Sequence, residues 1–221
     1  MDILLGSAYF PPVQWFWHLN RADRSWVEHC DSFQKQTYRN RCVIATTAGT
    51  QTLTVPVEHG ESRLGRDTRV SNHGNWQHLH WQALQSAYGE SPFFDFLADD
   101  LHPFFLRDYK YLYDLNMDII QTLCELIDIH PTISLTTEYM KPECQQDSAP
   151  HHQPGCPAIL SPGSAPLLDL RLSIHPKHPV PDPLFRPTPY YQVYSHKHGF
   201  QANLSILDLL LNMGRETVMY L

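Results

Sequence analysis

Apolar positions along the chain follow two periods, and the switches between them predict its elements. Ile3 to Phe10 reads as a buried strand, stopped by Pro11-Pro12, and a short helix from Pro12 to about Asn20 carries Trp15, Phe16 and Leu19. Ser25 to His29 reads as a second strand, which makes a βαβ unit with a right-handed crossover. Cys42 to Thr47 and Gln51 to Val57 predict a hairpin turned at Ala48-Gly49-Thr50, with Pro56 marking an edge or the end of pairing. Helical spacing then returns three times: from the cap Asn75 to Gly89, from Ser91-Pro92 to Leu101, and from between Asp108 and Asp114 to His130-Pro131. Ile133 to Thr137 predicts a strand, and Tyr190 to Tyr194 is a strand-like alternation that leads to a turn at His198-Gly199. Ile206 to Met213 is apolar nearly all round, so its helix should be buried. Asn203 or Ser205 caps it, Ser205 with Asp208 approximates a capping box, and Gly214 stops it.

Composition adds a boundary. The 49 residues from Lys141 to Pro189 hold 12 of the 18 prolines, so no long regular element is expected there. Residues 141–166 read as a Pro-rich loop or insertion, with Leu167 to Ile174 the one apolar island beyond it and Asp169 to Pro189 an extended wrap. At 221 residues the expectation is a single α/β domain with a small mixed sheet flanked by helices, closed by a C-terminal wrap and a buried helix. The net charge of -7 is local: nine acidic and two basic residues lie between Glu90 and Asp128. The balanced remainder argues against nucleic-acid binding through bulk charge. The N-terminus lacks a basic region typical of a secretory signal, and no apolar run approaches the roughly 20 residues of a membrane span. Five cysteines without a CxxC pair suggest free thiols, and a cytoplasmic protein is expected.

Four local patterns resemble the WbqC-like family of bacterial proteins. They are Tyr9-Phe10-Pro11 with Ala22-Asp23; Tyr38-Arg39-Asn40-Arg41 before a hairpin ending Leu53-Thr54-Val55-Pro56-Val57; Tyr88-Gly89 with Ser91-Pro92-Phe93-Phe94 and Leu115-Asn116; and Tyr190-Tyr191-Gln192 through Gly199-Phe200 and Asn203 to Leu210 to Asn212-Met213-Gly214. The resemblance covers about residues 3 to 140 and 168 to 214, and Arg171 with His175-Pro176-Lys177 is similar to a shorter subgroup associated with the Bacteroidetes. It implies work in surface polysaccharide (O-antigen or lipopolysaccharide) biosynthesis, as an enzyme, a transferase using a nucleotide-sugar or acyl or aminoacyl donor, or as a non-catalytic binding or assembly partner. Longer relatives carry His-Gln-Pro where this chain has Gly6-Ser7-Ala8-Tyr9, so no acid or base role transfers to that position.

Candidate chemistry concentrates in two segments. Arg39, Arg41, Arg171, Lys177 and Lys197 suit a phosphate or carboxylate, and a nucleotide-linked sugar would supply phosphate and hydroxyls together. Tyr9, Asn40, Tyr191, Gln192 and Asn203 complete the expected binding set, and His196, His198 and Asp208 are the candidate proton carriers. The plainer accounts are that Arg39 and Arg41 hold an internal carboxylate such as Asp31 or Asp208, that the histidines sit on a surface turn, and that Asp208 caps its helix. The types Cys144, His151, His152 and Cys156 suit zinc, but C-x6-H-H-x3-C is not a common spacing, so no metal site is assigned and no cofactor is implied. His78 and His80 are two apart on a predicted helix and point away from each other. An enzyme should bring Arg39, Arg41, Gln192 and His198 into one polar pocket; a scaffold should pair them internally and expose an apolar patch.

Overall fold

The main sheet starts from the βαβ unit at the N-terminus. The computed structural model describes residues 1–58, 62, 64–141, 158–160, 167–178 and 180–221. Strand β1 (Asp2–Gly6), helix α1 (Val13–Arg21) and strand β2 (Arg24–Glu28) bring Ile3 beside Ser25 and Leu5 beside Val27 in parallel register. β1 ends at Gly6, short of Phe10, because the chain turns there to other partners. Gly6 O accepts the Trp15 indole N–H at 3.0 Å, Tyr9 N–H bonds Tyr38 O, and Phe10 takes a left-handed φ of 39°. The hairpin follows as β3 (Arg41–Thr46) and β4 (Gly49–Thr54), with Gly49 at φ 118°, and a short pair β5 (Val57–Glu58) and β6 (Arg69–Val70) lies beyond it.

Three helices cover this frame: α2 (Trp76–Tyr88), α3 (Phe94–Leu101) and α4 (Leu112–Ile127). α3 begins two residues later than Ser91-Pro92 predicts, since Phe93 N–H is drawn to Leu211 O. α4 ends before His130 because Asp128 takes the left-handed conformation at φ 64° and returns its N–H to the last turn. Strand β7 (Ile133–Leu135) is followed by β8 (Ala158–Leu160) and β9 (Leu167–Asp169), giving the sheet order β7-β2-β1-β9-β8. β7, β2, β1 and β9 run parallel, whereas β8 is an antiparallel edge.

The tail holds the one-turn helix α5 (Ser195–His198), α6 (Ile206–Met213) and a 3-10 helix at Gly214–Tyr220. Tyr190–Tyr194 forms no strand: Gln192 O accepts Ser195 N–H, and the aromatics fill a turn. α6 is buried from Ile206 to Asn212 and packs against α1, α3 and β3. Its entry is clamped in the core, because Ser205 N–H bonds Val43 O, Ile206 N–H bonds Pro11 O, and the Ser205 hydroxyl donates to Phe10 O at 2.9 Å. Five fully buried Ile and Leu side chains on this one short helix, each worth about 1.5–3 kcal/mol of burial, make it the centre of the apolar cluster.

Candidate functional site at the carboxyl ends of the parallel strands

In open parallel sheets the carboxyl ends of the strands face a shared crevice, and here β2 and β9 deliver charged groups to it on either side of β1, which ends on Gly6. β2 ends on Glu28, β9 ends on Asp169, and Arg171 joins them. Its Nη1 donates to Glu28 at 2.6 Å, Nε and Nη2 donate to the two Asp169 oxygens at 2.9 and 2.6 Å, and Nη2 also donates to Met140 O at 2.7 Å. Glu28 further accepts the Thr136 hydroxyl at 2.6 Å and Cys30 N–H at 2.9 Å. Arg171 is therefore a buried cross-brace between strands, with its guanidinium spent.

Arg39, from the 3-10 turn Tyr38–Asn40, donates to Asp31 and lies over Gly6. Its guanidinium, Arg171, Ser7, Thr37, Tyr38 and Ile174 line a cleft of about 20 Å³, room for about one water molecule or one anionic oxygen. The segment after the cleft residue Ile174 carries further polar groups. Lys177 donates to Gln36 Oε1 at 2.7 Å, and His175 Nδ1 accepts the N–H groups of Lys177 and His178, both at 3.1 Å. That pattern assigns the neutral ring's proton to Nε2. Burial, then His178, Arg39, Arg41 and Lys177, lower the proton affinity of His175 below the ordinary histidine value. Arg41 is half-buried, has no ion pair among the described residues, and its buried Nε has no hydrogen-bond partner there.

The expected binding set is thus divided. Arg39 lines the cleft, and Arg41 and Lys177 lie near enough to His175 to act on its charge, but Asn40 staples the hairpin through Nδ2 to Val55 O at 2.9 Å. Tyr9 is buried, with its hydroxyl on His80 Nδ1 at 3.0 Å, and Asn203 exchanges hydrogen bonds with Gln14. Gln192 donates to Asp208 at 2.7 Å, as does the Tyr190 hydroxyl, in a knot from which solvent is excluded. Desolvation raises the Asp208 carboxyl, and that carboxylate does not close a capping box: Ser205 alone accepts Leu207 N–H. Tyr191 is 55% exposed. His198 and Lys197 both donate to Thr47 O, at the hairpin tip opposite Arg41, and His196 turns to Val193 O. The expected convergence of Gln192 and His198 on the arginines is therefore not what the fold builds. A turn positions His196–His198 against the far end of β3, and Gln192 is consumed by a buried carboxylate.

Asp31 was foreseen as an internal partner of Arg39, and His175 entered only through the family resemblance, whereas Glu28 and Asp169 are the site residues that sequence reasoning passed over. Their signal was present only as charge near strand ends, since the pairing of residues 143 positions apart, as in Glu28 and Arg171, leaves no local trace. The zinc-type set Cys144, His151, His152 and Cys156 lies outside the described residues. Among the described residues no group of three or more potential metal ligands occurs, and no helix is long and apolar enough to cross a membrane.

No solved structure matches the chain. It is 26% identical over 230 residues to the uncharacterized protein Rv1507c of Mycobacterium tuberculosis, with 99% of this chain and 96% of that protein covered. The sequence signature of the WbqC-like protein family matches residues 7–153, which begin just after β1 and span the Arg39 turn, the hairpin and all three covering helices. With two thirds of its length inside that match, the chain belongs to the WbqC-like protein family.

Proposed function

We propose that the chain binds an anionic small molecule of the nucleotide-sugar class at the cleft and acts in bacterial surface polysaccharide (O-antigen or lipopolysaccharide) biosynthesis, as a transferase using a nucleotide-sugar or an acyl or aminoacyl donor. Arg41 carries this reading. A half-buried arginine with a buried, unpartnered Nε costs free energy unless an acceptor arrives, and this one lies within electrostatic reach of His175, whose proton affinity is lowered by burial first and then by His178, Arg39, Arg41 and Lys177. Arg39 and Arg171, already paired, shape the floor and orient the rim. Membership of the WbqC-like family supports the pathway through the association its resemblance brings. His175 takes the proton-carrying role in this reading, because His196, His198 and Asp208 are committed elsewhere.

A non-catalytic binding or assembly role in the same pathway is the second reading. The internal pairing of Arg39 with Asp31 and of Gln192 with Asp208 favours it. Calorimetric titration with pyrophosphate and a panel of nucleotide-sugars tests the first: Arg41→Gln should weaken the bound member at least tenfold, as loss of one charge-assisted contact implies, with an unchanged circular dichroism spectrum. A ligand at 100 times its Kd should also stabilise the fold by about 2.7 kcal/mol. No response to any member, or equal binding by Arg41→Gln, ends the cleft reading. Binding without nucleotide release in the presence of acceptor sugars leaves the assembly role.

A further inference from the structure

We propose that the groove between α3, the end of α4 and the junction of α6 with the C-terminal 3-10 helix docks a basic amphipathic helix of a partner protein. This surface is separate from the anion cleft and shares no residue with it. The groove has about 510 Å³ of free volume, within the range of about 300–1,000 Å³ that ligand sites occupy. Phe93, Phe96, Leu97, Leu126, Leu210 and Met213 form its apolar lining. Phe96 is 78% exposed, with its ring 6.5 Å from that of Phe93, so a large aromatic surface is left in water at the mouth.

The rim selects the occupant. Asp100, Glu125 and Glu216 stand around the groove against a single cation, Arg215. Among the described residues none of the three carboxylates has an ion pair, and Glu125 accepts only a 3.3 Å hydrogen bond from Gln121. α3 and α4 also lie inside the stretch that holds the chain's entire negative excess, so a positive partner would be steered to this face. A groove walled by helices accepts a helix whose apolar residues recur at i, i+3, i+4 and i+7, with Lys or Arg flanking them to meet the carboxylates. A second copy is disfavoured, because twofold contact through the same patch would set these carboxylates against themselves.

A fluorescein-labelled synthetic helix with Leu at those spacings and Lys on its flanks, and the same helix with Glu in place of Lys, titrated with the full-length chain, test the idea by fluorescence anisotropy. The Lys helix should bind and the Glu helix should not. Phe96→Ser, at an exposed position that should leave the thermal midpoint unchanged, should weaken binding at least tenfold, and Asp100→Lys/Glu216→Lys should abolish it. Hydrogen exchange on the complex should show new protection in α3 and at Met213–Glu216. The proposal is overturned if neither helix binds, if both bind alike, or if Phe96→Ser binds as well as the parent, which would indicate diffuse charge attraction. A concentration-dependent dimer in sedimentation that Phe96→Ser dissolves would also overturn it, assigning the groove to self-association.

Discussion

At the scale of single residues the chain stores its acid sensitivity in a buried histidine. His80 is buried under α2 with its Nδ1 on the Tyr9 hydroxyl, and desolvation, larger than the opposing hydrogen bond with the Thr54 backbone, pushes it down to about 4. The unfolded chain takes up this proton near the ordinary value of about 6.5, so the neutral folded form contributes its full stability above that pH and loses it as pH falls towards about 4. The loss is about 3 kcal/mol at most, using about 1.36 kcal/mol per unit. Urea midpoints of the parent should therefore fall across that window, and His80→Gln should fall less steeply. His18 and Asp182, whose 2.6 Å contact ties residues 180–185 to α1, are also both lowered and weaken the fold in the same direction, so the variant keeps a residual slope. Identical slopes in the two proteins would show that His80 is not the source. The histidine pair two apart on α2 was legible in sequence as facing opposite ways, and His78 is exposed where His80 is buried. That His80 would find a tyrosine 71 residues away was not, because only the packed core sets that distance.

Elements were most legible where period and punctuation agreed. The βαβ start, the hairpin, the three covering helices and the all-apolar α6 follow from spacing, prolines and glycines. The failures have two causes, tertiary partners that override a local pattern and a signal too short to read. Tyr190–Tyr194 alternates like a strand, but Gln192 and Tyr190 are turned inward to satisfy Asp208, and the backbone bends to allow it. Leu167–Asp169 looked like an apolar island at the start of a wrap and is instead an inner strand beside β1, since three residues after many prolines carry too short a signal. Gly214 shows how tightly α6 is terminated. Its φ of 57° with ψ of -133° suits glycine almost alone, and a Cβ there would sit 2.7 Å from the Phe93 ring. Gly214→Ala should cost more than about 2 kcal/mol in chemical denaturation. Combining it with Phe93→Leu should recover the part due to the ring and leave about 1–2 kcal/mol of backbone strain. A cost below about 0.5 kcal/mol would mean that the helix end adapts freely.

Across the whole molecule, charge is sorted by segment: the helical cover carries the acidic excess, whereas near the strand ends Arg39 and Arg171 are paired with carboxylates and Arg41 and Lys177 have no ion pair among the described residues. An anion approaching a chain of net charge -7 is therefore drawn by a local field, and that field can be titrated. Burial, then the charges of His178, Arg39, Arg41 and Lys177, lower the proton affinity of His175; an anion bound near it would offset that charge and let the ring take up a proton. By linkage, affinity must then rise as pH falls through the histidine range. Sulfate, whose own charge is constant over this interval, should bind several-fold to about tenfold more tightly at about pH 5.5 than at about pH 8. His175→Gln should flatten that dependence while keeping much of the affinity at the alkaline end, where Arg41 and Lys177 carry it. Because acid weakens the fold through His80 over the same interval, the measurement must be direct titration calorimetry rather than a melting shift, in which the two trends oppose each other. A sulfate affinity that is flat with pH in the parent, or equally steep in His175→Gln, would place the bound anion away from this rim.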